Sequence, residues 1–283
     1  MRNPIGGHVP VAGGLATVGL SYAREIGAET VQVFAANPRG WATPTGNPAQ
    51  DERFRAECAE ASIPAYVHAP YLINFGSHTE ATVEKSVESL RHSLRRGREI
   101  GALGVVVHTG SATGGRPRAE ALAQVREHLL PLLDELTHDD DPFLLLESTA
   151  GQGSSLCSRT WDFGPYFEAL DAHPMLGVCL DTCHIYAAGH DLAGPGGMKQ
   201  TLDLLVDTVG EGRLQLIHAN DSKDVAGAHK DRHENIGSGH IGAEPFRELL
   251  GHPATDGVPL VIETPGGKEG HANDVARLKS LRA

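Results

Sequence analysis

The sequence predicts an α/β fold, a single (β/α)8 barrel spanning residues 1–283. Three observations carry that reading. Short apolar runs recur at fairly regular intervals, helix-like stretches separate them, and no Gly/Ser-rich linker or change of composition divides the chain. The first run, Ile5–Val9, leads into a helical pattern over Leu15–Ile26, and Thr30–Ala36 and Ala65–Ala69 read as the second and third strands. A long amphipathic stretch, Ala81–Ile100, precedes the fourth strand, Gly104–Thr109. Ala119–Leu136 carries apolar residues every three or four positions and leads to the fifth, Phe143–Thr149, and sixth, Met175–Thr182. Met198–Val209 is helical in pattern, and Leu214–Ala219 and Pro259–Thr264 complete eight strands. The segments Asn37–Gly46, Gly110–Arg118, Ala188–Gly197 and Lys223–Gly239 are rich in Gly, Pro or charge and read as surface loops. A doubly wound open sheet is the competing layout, but Gly13-Gly14-Leu15 is a poor match to the glycine turn such a sheet carries after its first strand.

Composition narrows the class. Hydrophobic residues make up 40% and charged residues 21%, as in a soluble globular protein. No apolar run reaches bilayer-spanning length, and MRNPIGGHVP lacks the apolar core of a signal peptide, so cytoplasmic residence without a membrane partner is expected. The four cysteines, Cys58, Cys157, Cys179 and Cys183, form no CxxC pair and do not suggest a disulfide framework. A net charge of −12 argues against a nucleic-acid partner unless carboxylates are neutralised by bound cations.

The strand ends supply the reason to expect such cations. In a barrel of this kind the C-terminal ends of the strands converge on one mouth. Here they read His8, His68, His108, Glu147, Asp181, His218 and Glu263, with His184 just after the sixth strand and Asp231 and His233 in the loop after the seventh. A lone histidine of this kind is usually a hydrogen-bonded structural group, yet that reading would have to hold independently at each strand end. Crowded carboxylates also repel one another unless cations intervene. With His8 set aside as a supporting group, nine candidates remain: His68, His108, Glu147, Asp181, His184, His218, Asp231, His233 and Glu263. Imidazole and carboxylate donors without thiolate point to zinc, manganese or iron, zinc foremost, and nine donors exceed the need of one or two ions. Three divalent ions would offset half of the net negative charge. Cys183 reads as a packed thiol, Cys179 as filler of the barrel interior, and Gly151–Gly153 as a turn.

In order along the chain, GGHVPVAGGL, FAANPRGW, HAPYLIN, HTGS, ESTAGQGS, VCLDTCHIYAAGHDL, HANDSKD, DRHENIGSGHIG and IETP resemble the endonuclease IV family of apurinic/apyrimidinic endonucleases, zinc-dependent barrels of DNA repair. The resemblance covers almost the whole chain. It implies one zinc on His68 and His108 with Glu147 bridging to a second, Asp181, His218 and Glu263 completing that second site, and His184, Asp231 and His233 holding a third. Manganese is an alternative at one position. The implied substrate is double-stranded DNA containing abasic sites, cut on the 5′ side to leave a 3′-hydroxyl, with 3′-end trimming as a further activity and no obligate protein partner. It also implies that Arg39, Tyr71 and Leu72 penetrate the DNA, and that Glu147, as the bridge, is central to catalysis. Two positions depart from the family pattern: Ser148 stands where many members have Asn, and Thr109 where Pro or Gly is common. Neither is a ligand position. The rival readings are a metal-dependent sugar isomerase or epimerase on the same barrel and a non-catalytic binder of damaged DNA.

Overall fold

The computed structural model describes residues 2–282. Eight parallel strands close into a barrel: β1 (Ile5–His8), β2 (Val31–Phe34), β3 (Ala65–His68), β4 (Gly104–His108), β5 (Phe143–Glu147), β6 (Leu176–Asp181), β7 (Leu214–His218) and β10 (Leu260–Ile262). Each pairs with its neighbours in sequence order, and β10 closes the ring between β7 and β1. The two remaining strands, β8 (Asp221–Ser222) and β9 (His233–Glu234), form a small antiparallel pair outside the ring. The eight expected strands are thus the eight of the barrel, each trimmed by a residue or two at its ends.

Alternation of side chains along each strand separates two cores. Tyr66, Val106, Leu145, Cys179, Leu216 and Val261 form a distinct cluster, one from each of six strands, that fills the barrel interior. Intervening residues such as Val105, Val107, Leu144, Leu146, Val178, Leu180 and Ile217 face the larger outer core, where they meet the helices. Cys179 therefore fills the interior as expected.

The helices α1 (Ser21–Glu25), α2 (Pro48–Ala61), α3 (Glu80–Ile100), α4 (Arg118–Asp134), α5 (Phe163–Ala169), α6 (Thr182–Ala187), α7 (Gly197–Val209), α8 (Glu244–Leu250) and α9 (Gly267–Leu281) surround the ring. The helical stretch expected from Leu15 is not one α-helix. Leu15–Leu20 is wound more widely, with Gly19 N–H bonding five residues back to the Gly14 carbonyl at 3.3 Å, and regular α geometry begins at Ser21. Helix α2 starts where the Asn47 side chain accepts from Gln50 N–H and Pro48 occupies the first turn. It is tied to α3 by a buried two-pronged ion pair, Arg96 Nη2–Asp51 Oδ1 at 2.8 Å and Nη1–Oδ2 at 2.9 Å. His92 Nε2 on α3 also donates to the Pro44 carbonyl at 2.7 Å, which fixes the loop carrying Arg39. Among the described residues no helix is long and apolar enough to cross a membrane.

The two ends of the chain meet at Glu29, just before β2. Its carboxylate accepts from Arg282 Nη1 at 2.6 Å and Ile5 N–H at 3.2 Å, with Lys279 Nζ at 3.2 Å and Arg2 Nη2 at 3.0 Å. Partial burial works against the charged form, but the hydrogen bonds from Arg282, Ile5 and Lys279 outweigh it and hold the pKa at about 2 rather than 4.5. A lowered folded-state pKa contributes stability above the unfolded value, lost as pH falls through the folded one. The stability gap between the parent and Glu29→Gln, measured by denaturant unfolding, is therefore expected to be full at neutral pH. It should close as pH drops from about 4.5 to about 2.

Candidate metal centre

The layer above the barrel's interior plug is polar. Two residues beyond Tyr66, Val106, Leu145, Cys179, Leu216 and Val261, on the same strand face, stand His68, His108, Glu147, Asp181, His218 and Glu263. His8 and Gln32 occupy the matching places on β1 and β2, where their Cα positions are register partners. Glu147, Asp181 and His218 are fully buried, and His68 is nearly so.

Glu147 divides its two oxygens. Oε2 lies 3.2 Å from His68 Nε2 and 3.3 Å from His108 Nε2. Oε1 lies 3.0 Å from His218 Nδ1 and 3.3 Å from His184 Nδ1. His218 Nδ1 in turn faces Glu263 Oε2 at 3.4 Å and Asp181 Oδ2 at 3.9 Å. Beyond them, Asp231 Oδ1 stands 3.2 Å from both His184 Nε2 and His233 Nε2. The result is three groups, His68/His108/Glu147, Glu147/Asp181/His218/Glu263 and His184/Asp231/His233, in each of which donor atoms lie within 4.8 Å of one another. These are the groupings the sequence resemblance implies. Cys183 Sγ falls in an overlapping group with Asp181 and His233. Its thiol is buried, pushed up to about 12 chiefly by that burial, and 3.6 Å from the Arg232 carbonyl, as a packed thiol would be.

Asp181 and His184, three residues apart, are joined by a strand that turns into a helix without a loop. Asp181 Oδ1 caps α6 by accepting His184 N–H at 2.8 Å. Its Oδ2 is left toward His218 and His233, and accepts from Asn220 Nδ2 at 2.7 Å. Backbone carbonyls fix the histidines. His68 Nδ1 donates to Ala69 at 2.7 Å, His184 Nδ1 to Ser148 at 2.9 Å and His233 Nδ1 to Glu263 at 3.1 Å, which leaves Nε2 of each as the atom that could bind a metal. Ser148 thus acts through its carbonyl, while its own Oγ is buried without a hydrogen bond. Thr109 Oγ1 donates to the Cys157 carbonyl at 3.2 Å, behind the ligands.

The electrostatics are compatible with a bound cation. Burial opposes charge on Glu147, yet His218 and His108 hold its carboxyl well below the usual range. Glu263 is likewise lowered against its burial, by His218 and His8. Burial also opposes charging of His184 and His233, and the carboxylates override it: Asp181 and Asp231 raise both, His233 to about 9. Protons on these rings stand where divalent ions would balance the same carboxylates. His233 Nε2 is buried and misaligned for a hydrogen bond, although Asp231 lies 3.2 Å away. An orphaned ring nitrogen beside carboxylate oxygens, in an all-imidazole and carboxylate set, fits borderline divalent cations such as zinc.

Sequence patterns pass over three residues that hold this geometry. Gln32 bonds to His218 and Glu263. Asn220 donates to Asp181 and accepts from Glu263 N–H at 2.8 Å. Asp221, fully buried, accepts five backbone N–H groups, those of Ser222, Gly237, Gly239, Ile241 and Gly242, at 2.7–3.2 Å. Gly239 is required there, because a Cβ would lie 2.3 Å from the Ser222 carbonyl oxygen. The only signal in the sequence is the run NDS directly after His218 and Ala219.

Arg39, Tyr71 and Leu72 lie together on the rim. Tyr71 N–H donates to the Pro38 carbonyl at 3.0 Å, joining the loops after β2 and β3. Tyr71 and Leu72 are 42% and 37% exposed, so neither is packed away beneath a neighbouring loop. The Tyr71 ring lies over His108 at 5.4 Å and meets His68 edge-on at 5.1 Å. Its phenol is raised by burial and by Glu263 and Glu147, and so is neutral at physiological pH.

Closed parallel barrel and clustered mouth ligands together define a TIM-barrel protein with a candidate multinuclear metal centre. Residues 20–281 match the family model described as xylose isomerase-like TIM barrel. A probable endonuclease 4 of Streptomyces avermitilis is 86% identical over 281 residues, 99% of this chain and 91% of the relative. The crystal structure of endonuclease IV from Thermus thermophilus superposes with a TM-score of 0.85 at 34% identity, covering 98% of each chain. The chain belongs to the endonuclease IV family. A D-tagatose 3-epimerase-like structure, TM-score 0.73 at 19% identity, shares the fold alone.

Asp221→Ala is expected to leave the barrel folded but loosen residues 221–242. It strands several backbone donors at about 1–3 kcal/mol for each one that water cannot reach. Hydrogen exchange should show protection lost at Gly237, Gly239 and Ile241 and kept in β4–β6.

Proposed function

We propose that this protein is a DNA-repair endonuclease that hydrolyses the phosphodiester 5′ to an abasic nucleotide and leaves a 3′-hydroxyl, using three divalent ions, zinc foremost. The supporting observation is the division of Glu147 between two groups of donors, with a third group, His184, Asp231 and His233, beside them. One or two ions suffice for a sugar isomerase or epimerase, which would leave that third group without a purpose. The identity to endonuclease 4 relatives supports the same choice.

In this reading His68, His108 and Glu147 hold one ion, Glu147, Asp181, His218 and Glu263 a second, and His184, Asp231 and His233 the third. Such ions, when bound, lower the pKa of water and neutralise charge on the attacking and leaving oxygens of a phosphodiester. The protein's own part is placement. Glu147 fixes the spacing of two groups from one rigid strand end. The carbonyls of Ala69, Ser148 and Glu263 hold their histidines in single tautomers. Tyr71, a neutral phenol, and Leu72 offer an exposed apolar wedge beside Arg39. They would enter the space left when the DNA bends and the abasic nucleotide swings out.

Incubation with an abasic-site duplex and, separately, with pentose sugars distinguishes the readings, and elemental analysis counts the ions. About three ions per chain and incision of the duplex are expected. One ion or fewer at full activity, or turnover of sugar alone, would overturn the proposal. Glu147→Gln is nearly isosteric and removes the bridging charge, so turnover should collapse with the fold intact; near-parental cleavage would sink the bridging role. The double change Tyr71→Ala with Leu72→Ala should impair duplex cleavage at unchanged zinc content and melting temperature. Unstacking costs about a few kcal/mol per base step, and the wedge would no longer offset it. An equal loss of thermal stability would instead point to packing.

A further inference from the structure

Among the inward-facing residues level with the candidate ligands, the second strand contributes a neutral amide. Gln32, on β2, is fully buried, and β2 contributes no candidate ligand. Its side-chain oxygen accepts from His218 Nε2 at 2.8 Å. Its nitrogen donates to Glu263 Oε1 at 2.8 Å and lies 3.0 Å from His8 Nδ1, which is itself 2.9 Å from that oxygen.

These contacts fix one another. Rotating the amide by half a turn would set N–H against N–H at His218 and a carbonyl against a carboxylate at Glu263. With its amide oxygen toward His218, Gln32 requires a proton on Nε2, so Nδ1 is the nitrogen that faces Glu147, Glu263 and Asp181 and would take an ion. With its nitrogen on Oε1, Gln32 leaves Glu263 Oε2 as the oxygen that faces His218 Nδ1, 3.4 Å away. An apolar side chain of similar length would fill the same space and do neither.

We propose that Gln32 is a positioning residue for the four-donor group Glu147, Asp181, His218 and Glu263. It selects the tautomer of His218 and assigns one oxygen of Glu263 to support and the other to the ion, and so sets the affinity of that site. The inference rests on the reading above that this group holds a divalent ion. Removing a hydrogen-bond partner behind a metal ligand typically weakens binding by about 10–100-fold.

The test uses the full chain, with zinc as the ion. Gln32→Met keeps the length of the side chain and removes both contacts. Chelator competition should show one zinc bound about 10–100-fold more weakly, the others unchanged. Long-range proton–nitrogen NMR of the metal-free protein, at a pH where the ring is neutral, should show His218 protonated at Nε2 in the parent and no longer uniformly so in Gln32→Met, since zinc on Nδ1 would itself force the proton to Nε2. Unchanged affinity for all ions in Gln32→Met would overturn the proposal. So would a lowered melting temperature of the metal-free variant with zinc affinity intact, the mark of a packing role only. Gln32→Glu, of the same shape, guards against a folding failure: it keeps an acceptor for His218, so the Nε2–H signal should persist, and its loss would overturn the tautomer assignment. A parent protein that takes up no zinc overturns the underlying reading, and the inference with it.

Discussion

Alternation of side chains along eight parallel strands is the constraint on which the rest depends. In a closed ring every second residue of every strand must point inward, and the register of the strands stacks those residues in layers. The apolar layer of Tyr66, Val106, Leu145, Cys179, Leu216 and Val261 closes the barrel from within. The next inward positions have nowhere to go but the mouth. A histidine or carboxylate there is delivered to the same small volume as its counterparts on other strands, whatever their separation in the chain.

That delivery creates an electrostatic problem that the surroundings only partly solve. Glu147, Asp181 and Glu263 are brought together with little or no solvent, where unbalanced carboxylates are costly. Burial opposes charge on the neighbouring imidazoles of His184, His218 and His233, yet the surrounding acidic groups shift all three toward the protonated form. Divalent ions would supply the same charge by taking the place of those protons on nitrogen lone pairs that the backbone carbonyls have already oriented. The supporting residues fall into two kinds: groups such as Gln32 and Asn220 that touch candidate ligands from within the barrel, and Asp221, which gathers backbone N–H groups to shape the loop bearing Asp231 and His233.

The rim answers to a different requirement. Of the large apolar residues exposed on the surface, Tyr71 and Leu72 sit directly above the ligand layer, with the Tyr71 ring against His68 and His108. The bonds from Arg96 to the Thr45 carbonyl and from His92 to the Pro44 carbonyl hold the neighbouring loop that carries Arg39. Rigid supports beneath exposed apolar and cationic tips suit the DNA-penetrating role proposed for Arg39, Tyr71 and Leu72, although the protein as a whole carries a charge of −12.

The sequence by itself determined the strands, because apolar runs of strand length separated by helical periodicity are local features, and every run but the second leads to a visibly polar residue. It likewise determined which nine side chains would meet at the mouth, since strand ends in such a barrel converge. Local pattern did not reveal the wide first turn at Leu15, where a bond from Gly19 to Gly14 replaces α geometry. The tertiary structure alone decided which oxygen of Glu147 faces which imidazole and which nitrogen of each histidine is free. It also decided that Gln32, an ordinary polar residue inside an apolar run, would join His218, 186 residues away, to Glu263. Periodicity can say that a side chain points inward; only closure of the ring determines what it meets there, because those partners lie on distant strands.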